Sequence, residues 1–332
     1  MRIALVGAGR IGAFHAEVLA RHADVDALLI TDADQARANE LADKLSATFA
    51  PDLSVAIEAG VDAVVIAAAT TAHADLVHQV ADAGLPIFCE KPIALDVAAT
   101  RSVLAHVTTA GVPFQVGFQR RFDPGHRIAR DVLADGGLGR VHTLRAVTSD
   151  PAPPRADYIA HAGGQFRDLH IHDFDAIRFV TGREIDTVYA IGTNIGAEFF
   201  AAAGDVDTTA AVLRLDDGAL AVVSGTRYNG AGYDVRLELS GTDASLVVGL
   251  DERSPLRSAE RDIGWPVGPA YSGFLDRFDA AYQAELAAFL DYARDRIDCP
   301  CSGADALAAL QVSEAAEWSR AERRPVRVAE LE

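Results

Sequence analysis

Over the first 117 positions short, mainly apolar runs recur at 2–6, 27–31, 62–68, 85–89 and 113–117, the last interrupted by Gln115. Each run is too short for a helix and lacks the polar alternation of a half-exposed strand, so each predicts a strand buried on both faces. Stretches with helical spacing, such as 13–21 and 72–83, separate them. Strands alternating with helices of about 10–15 residues imply βαβ units, a parallel sheet and right-handed crossovers. After Gly117 the pattern changes: a helical stretch at 124–134 leads to alternating or β-rich runs at 141–148, 187–195, 209–215, 219–227 and 235–248. Turn residues such as Asp216-Asp217-Gly218 join neighbouring runs into hairpins. The expected fold is α/β, with a doubly wound parallel sheet in a first domain (1–118). A second α+β domain (119–332) follows, built on a mainly antiparallel open sheet. The Pro-rich segment 150–154 is expected to be a stiff loop within it.

Composition adds limits. A chain of 332 residues, half of them hydrophobic, can hold two cores. No apolar run reaches the roughly 18 residues of a membrane span. The chain opens in a strand-like run instead of a signal peptide, and its three cysteines fit a reducing compartment, so a cytoplasmic location is expected. Cys-Pro-Cys at 299–301 has no second pair to complete a zinc site. The net charge of -18 argues against nucleic acid and anionic membrane surfaces as partners. It still permits an anionic cofactor, because a helix N-terminus binds phosphate locally. Lys44 and Lys91 are the only lysines among 30 basic residues, a mild sign that a position requires lysine.

The first run ends in Gly7-Ala8-Gly9-Arg10-Ile11-Gly12 and opens a helical stretch. In that context GxGxxG predicts the dinucleotide turn of a Rossmann fold: Gly7 for the tight turn, Gly9 for approach to a pyrophosphate, Gly12 for close helix–strand packing. Asp32 closes the second strand twenty residues beyond Gly12, where a carboxylate accepts hydrogen bonds from the adenosine ribose. It would repel a 2′-phosphate, and no arginine follows before Arg37, so the expected cofactor is NAD. Ligands on such sheets bind beyond the carboxyl ends of the strands, where 70–73, 90–92 and 118–120 should meet. The expected cofactor contacts are therefore Gly7, Gly9, Arg10, Ile11, Gly12 and Asp32, with Thr70, His73, Glu90, Lys91 and Gln119.

The segment 168–175, DLHIHDFD, gathers five ionisable groups. Helical spacing from Asp168 to Thr181 stops before Gly182, a C-terminal signal. At about 100° per residue Asp168 and His172 are i,i+4 neighbours, while His170 points away. Three readings fit: a polar helix face, a carboxylate–imidazole pair for proton transfer, or part of a metal site, which would need further converging ligands.

Together, GAGRIG, Glu90-Lys91-Pro92, GFQRRFDP at 117–124 and Asp168-x-x-x-His172 resemble the glucose-fructose oxidoreductase/inositol dehydrogenase (Gfo/Idh/MocA) family over nearly the whole chain. The likeness is greatest to its inositol 2-dehydrogenase branch, through 149–154, 163–175, Gly232-Tyr233-Asp234, Arg277-Phe278, Ala281-Tyr282 and Glu285. The resemblance implies NAD-dependent oxidation of a ring hydroxyl of a cyclic polyol, myo-inositol to its 2-keto product before another inositol isomer or a pyranose. Lys91, Asp168 and His172 would be the catalytic group. The alternative from another class is a non-catalytic NAD-binding sensor. No metal is expected, because His172 has no third converging ligand. The resemblance also implies substrate contacts from Lys91, Arg120, Asp150, Asp168, His172 and Tyr233, a homo-oligomer (dimer or tetramer), and a C-terminal helix at 303–320 bracing the first domain. An ordinary salt bridge would equally place Arg120, and a core aromatic Tyr233. Gln119, where the family often has Asn or Met, and the segments 196–206 and 226–232 depart from the pattern.

Overall fold

The computed structural model describes residues 1–331 and divides the chain into two compact units. Met1–Gln119 and Ala280–Leu307 form the first, and Arg120–Asp279 with Ala308–Glu332 the second. The elements in chain order begin with β1 (Arg2–Val6), α1 (Arg10–Arg21), β2 (Ala27–Thr31), α2 (Gln35–Leu45), β3 (Thr48–Phe49) and α3 (Leu53–Glu58). Next come β4 (Ala63–Ile66), α4 (Thr70–Asp82), β5 (Ile87–Glu90), α5 (Val97–Ala110) and β6 (Phe114–Gly117). A 3₁₀ turn at Gln119–Phe122 precedes α6 (Pro124–Ala134), β7 (Val141–Ser149) and α7 (Ala156–Ile159). One turn of π-helix at Phe166–His170 runs into α8 (Ile171–Thr181), followed by β8 (Ile185–Thr193), α9 (Phe199–Ala202), β9 (Thr208–Leu215) and β10 (Leu220–Thr226). The chain ends with β11 (Asp234–Gly241), β12 (Ser245–Val248), α10 (Phe274–Arg277), α11 (Asp279–Tyr292), α12 (Gly303–Glu322) and β13 (Val326–Arg327).

In the first unit six parallel strands lie in the order β3-β2-β1-β4-β5-β6. The order reverses between β1 and β4, the switch point where doubly wound sheets bind ligands. Ile3, Leu5, Val65 and Phe88 are fully buried, as the apolar runs require. Removing each such side chain from water contributes about 1.5–3 kcal/mol. Asp34, Asp52 and Asp96 cap α2, α3 and α5 by accepting a backbone N–H three residues on. The two-residue strand β3 is too short to leave a hydrophobic pattern.

The sequence reading kept 119–332 together and returned only 303–320 to the first domain. By contacts, the segment that belongs with the first unit is Ala280–Leu307. The physical cause is α11, whose Leu286, Phe289 and Leu290 join the core formed by Ile3, Leu5, Leu19 and Phe88. Gln115 Nε2 donates to the Glu285 carbonyl at 3.2 Å, and Val116 N–H to that of Cys301 at 3.0 Å. The later part of α12 supplies Val312, Ala315 and Ala316 to the core of the second unit.

The second unit carries a seven-stranded sheet in the order β12-β11-β7-β10-β9-β8-β13. It is antiparallel except where β7 and β10 run parallel. The run at 235–248 is a hairpin of two strands, broken after Gly241. Strict alternation on β9 and β10 buries one sheet face and exposes the other. No helix among the described residues is long and apolar enough to cross a membrane.

Candidate active site

In the first unit the glycine turn is shaped by backbone proximity. Gly7 has φ +106°, and a Cβ there would lie 2.5 Å from the Ala67 carbonyl oxygen. A Cβ on Gly12 would meet the Gly7 carbonyl oxygen at 1.9 Å, so α1 packs against the turn only as glycine. Gly9, the N-cap of α1, faces open space and provides no side-chain cap. An uncapped twelve-residue helix whose first turn has no acidic side chain, approached over a bare glycine, fits a pyrophosphate. Arg10 and Ile11 form its first turn.

Asp32 lies just beyond β2, its carboxylate accepting from Ala8 N–H and, at 2.8 Å, from Asp34 N–H. Arg37 donates to the same carboxylate at 2.6 Å. Burial pushes the Asp32 carboxyl up, but the Ala8 amide, Arg37 and the Asp34 amide outweigh it and hold it below its usual range. By sequence alone an arginine as late as Arg37 is discounted, but the first turn of α2 brings its guanidinium onto Asp32.

At the carboxyl ends of β4 and β5 the expected residues form one hydrogen-bonded frame. Thr70 opens α4. His73 is buried, with Nδ1 2.8 Å from the Pro92 carbonyl and Nε2 3.0 Å from that of Ala68, so its ring spans the two loops. Burial lowers its pKa. Glu90 Oε1 lies 2.7 Å from Nε2 of the fully buried His15, and Oε2 accepts the Lys91 N–H at 3.3 Å. His15, which the sequence did not single out, thus anchors the residue preceding Lys91. Gln119 is buried at the start of the 3₁₀ turn.

In the second unit the regular helical spacing assumed across 168–181 is interrupted. Asp168 sits on the π-helical turn and His172 on the first turn of α8, so the 100° step does not apply between them. Gly182 caps α8 in the left-handed conformation at φ +63°, as its position implied. Asp168 accepts from Tyr158 Oη at 2.7 Å and from Arg227 Nη2 at 2.6 Å, and Arg227 Nη1 donates to Asp150 at 2.7 Å. One guanidinium, 4 % exposed, therefore bridges two carboxylates that are 19 % and 11 % exposed. Nearby charge from Asp168 and Asp150 outweighs burial and raises the Arg227 pKa.

Arg227 is the residue that the sequence reading missed, because its partners are 59 and 77 positions away. A signal existed. Alternation on β10 buries Ala221, Val223 and Gly225, and the same register carries an arginine inward at 227. An inward arginine requires acids.

Arg120 is buried, donating to Asp173 and, at 2.9 Å, to Thr148 Oγ1. Arg121 forks onto Asp175 at 2.7 Å and 2.9 Å. His170, expected to point away, is fully buried between Asp173 and Thr209. Tyr233 is buried on the approach to β11; burial, with Asp150 and Asp173, pushes its phenol up and keeps it a hydrogen-bond donor. Among the described residues no group of three or more His, Cys, Asp or Glu side chains gathers as a metal would need.

A parallel sheet of this order, an open glycine-led helix terminus and an aspartate just beyond the second strand make up a dinucleotide-binding Rossmann fold. Residues 1–118 match the model of an oxidoreductase family with an NAD-binding Rossmann fold, and 126–247 that of the GFO/IDH/MocA C-terminal domain. The chain belongs to the GFO/IDH/MocA family. It is 41 % identical to a myo-inositol dehydrogenase of Streptomyces leeuwenhoekii, over 96 % of this chain and 97 % of that one. It superposes on a probable dehydrogenase from Thermotoga maritima with a TM-score of 0.93 and 34 % identity, over the whole of both chains. A scyllo-inositol dehydrogenase from Lactobacillus casei, solved with NAD(H) and scyllo-inositol bound, matches with a TM-score of 0.89 and 30 % identity over 99 % of each chain.

Proposed function

We propose that this protein oxidises a ring hydroxyl of a cyclic polyol with NAD, myo-inositol to its 2-keto product being the reaction favoured. The observation that carries the reading is the pair of partly open carboxylates, Asp150 and Asp168, fixed by Arg227. A polyol presents a ring of hydroxyl donors, each of which needs an acceptor when buried, and two oriented carboxylates supply them. The likeness to inositol dehydrogenases over nearly the full chain supports the same substrate class.

Bound NAD supplies the hydride acceptor. Gly7, Gly9, Arg10, Ile11 and Gly12 would receive its pyrophosphate and Asp32 its adenosine ribose, with Thr70, His73, Glu90, Lys91 and Gln119 toward the nicotinamide end. The chain's own residues manage the proton. His172 takes it from the reacting hydroxyl, with Asp168 fixing the imidazole, and the Lys91 ammonium donates to the oxygen and favours its alkoxide character. Arg120, Asp150 and Tyr233 are assigned to the remaining hydroxyls.

Two further readings accompany this one. The second sheet leaves Tyr189, Ile191, Val212, Leu220 and Val222 between 41 % and 54 % exposed on adjacent strands. Such a stripe supports a homo-oligomer closed over the open face. A cytoplasmic location fits three cysteines that no disulfide links.

The test is a panel of inositols, pyranoses and sugar acids with NAD, followed by the absorbance of reduced cofactor. Turnover of an inositol supports the reading. Tight NAD binding with no turnover of any polyol would overturn it in favour of a non-catalytic NAD sensor.

A further inference from the structure

We propose that Arg227 sets the charge selectivity of the substrate site: it masks Asp150 and Asp168 so that the site takes uncharged polyols, and its loss admits amino-substituted, cationic ones. The inference rests on the reading of those two carboxylates as substrate contacts.

The geometry is asymmetric. Arg227 follows β10 with its backbone N–H donating to the Asp207 carbonyl at 2.8 Å, which fixes the start of the side chain. Its guanidinium is almost entirely covered, whereas both carboxylates keep accessible edges. The cation therefore lies behind the acids, and a ligand meets the acids first. Nη1 serves Asp150, Nη2 serves Asp168, and Nε is buried with no hydrogen-bond partner among the described residues. All the side chain's hydrogen bonding is thus spent on this pair. Tyr158 Oη gives Asp168 a second donor, a neutral one.

Two carboxylates held together without a cation repel each other, and the arrangement is relieved by a proton or by another cation. With Arg227 present, that cation is built in. An incoming ammonium would compete with it for the same oxygens and forfeit its hydration, while a hydroxyl needs only an unused lone pair. Replacing Arg227 with a neutral side chain of similar length leaves the position of the cation to the ligand.

The experiment compares kcat/KM for neutral cyclic polyols and their amino-deoxy counterparts, at a pH where the amine is protonated, in the wild type and in Arg227→Met, Arg227→Lys and Asp150→Asn. Charge-assisted contacts of this kind correspond to about 10–100-fold in the ratio of amine to neutral substrate. That ratio should rise by such a factor in Arg227→Met and stay near the wild-type value in Arg227→Lys. It should fall in Asp150→Asn, where the guanidinium faces one charge instead of two. A purely structural role would lower both substrates together and leave the ratio unmoved. An unchanged ratio in an Arg227→Met protein with normal NAD affinity overturns the proposal. If Arg227→Met does not fold, an unchanged ratio in Asp150→Asn overturns it. Should no polyol be turned over, the reaction assigned above fails, and calorimetric affinities for the amine and the neutral polyol in the presence of NAD still judge Arg227. Absence of binding by both classes would sink both.

Discussion

Nδ1 of His170 lies 2.7 Å from Oδ2 of Asp173, and both side chains are fully buried. Within 168–175 this is an imidazole–carboxylate pair of the kind sought between Asp168 and His172, but it faces the protein interior. Asp173 also accepts from Arg120 and Thr148, and His170 Nε2 lies 2.6 Å from Thr209 Oγ1. A carbon placed on Gly225 would strike the His170 ring at 2.6 Å, so β10 closes over it only because that position is glycine. This network ties the 3₁₀ turn, β7, β9 and α8 together.

The network should govern acid stability. Burial pushes the Asp173 carboxyl up, but Arg120, His170 and Thr148 outweigh it and hold it at about 2. A carboxyl depressed from its unfolded value near 4 adds stability above that value, and loses it as the pH falls toward 2. The contribution at neutral pH is roughly 2–3 kcal/mol. Asp173→Asn leaves the Arg120 cation buried without its counter-charge and should cost about 3–5 kcal/mol. Urea unfolding at pH 7 and at pH 3 reads both effects. The variant should be weaker at pH 7 and lose less between the two, and equal losses in both proteins would count against this account.

Cofactor choice should rest on Asp32. Asp32→Ala removes the proposed ribose acceptor and the carboxylate that Arg37 pairs with, so NAD should bind more weakly and NADP less unfavourably. A charge-assisted hydrogen bond of about 1.5–3 kcal/mol makes a shift in relative preference of one to two decades the expected result. Calorimetric titration of each cofactor measures it. A wild type that binds NADP as well as NAD would contradict this role.

What the sequence displayed and what it hid divide along one physical line. Local and periodic features were legible: the parallel strands, the glycine turn with Asp32, the stop at Gly182 and the change to hairpins after Gly117. Contacts made over long separations were not. Ala280–Leu307 belongs with the first unit through Phe289 and Leu290, which look like any amphipathic helix until Phe88 is beside them. Arg227 reaches Asp168 across 59 positions, and Arg121 reaches Asp175 across 54. The π-helical turn at Phe166–His170 shifts the angular relation of Asp168 to His172 with no marker in residue type.

Exhaustive chelation should leave fold and turnover intact, because Asp168 is held by Tyr158 and Arg227, Asp175 by Arg121, and Asp173 and His170 by Arg120, Thr209 and one another. Activity assays and far-ultraviolet circular dichroism before and after chelation test this. Loss restored specifically by zinc would reverse it.

The exposed stripe on the second sheet should hold copies of the chain together. Tyr189, Val212 and Val222 are direct cross-strand neighbours, so one charge at the centre disrupts the whole row. Val222→Arg should lower the mass measured by sedimentation while leaving the thermal midpoint of the protomer nearly unchanged. An unaltered mass would place the interface elsewhere.

The catalytic assignment is tested most directly at three residues. His172→Ala should lower kcat by about 10²–10⁴, the usual contribution of a positioned general base. Substrate affinity should suffer less, because Asp150, Arg120 and Tyr233 are assigned separate hydroxyls. Asp168→Asn should also impair turnover, and its effect carries a second component: Arg227 loses one of its two counter-charges. The loss should exceed that of Asp150→Asn, which leaves the Asp168 carboxylate in place. Lys91→Arg separates charge from contact. Arginine keeps the positive charge but replaces a compact ammonium with a planar fork that does not release its proton in this pH range. A role through field alone would leave substantial activity, whereas contact with the reacting oxygen would not survive the change in shape. Severe loss in Lys91→Arg with NAD affinity nearly unchanged is the expected outcome. Near-normal turnover in both Lys91→Arg and His172→Ala would remove the proposed centre and leave the segment around 172 as an ordinary polar helix face.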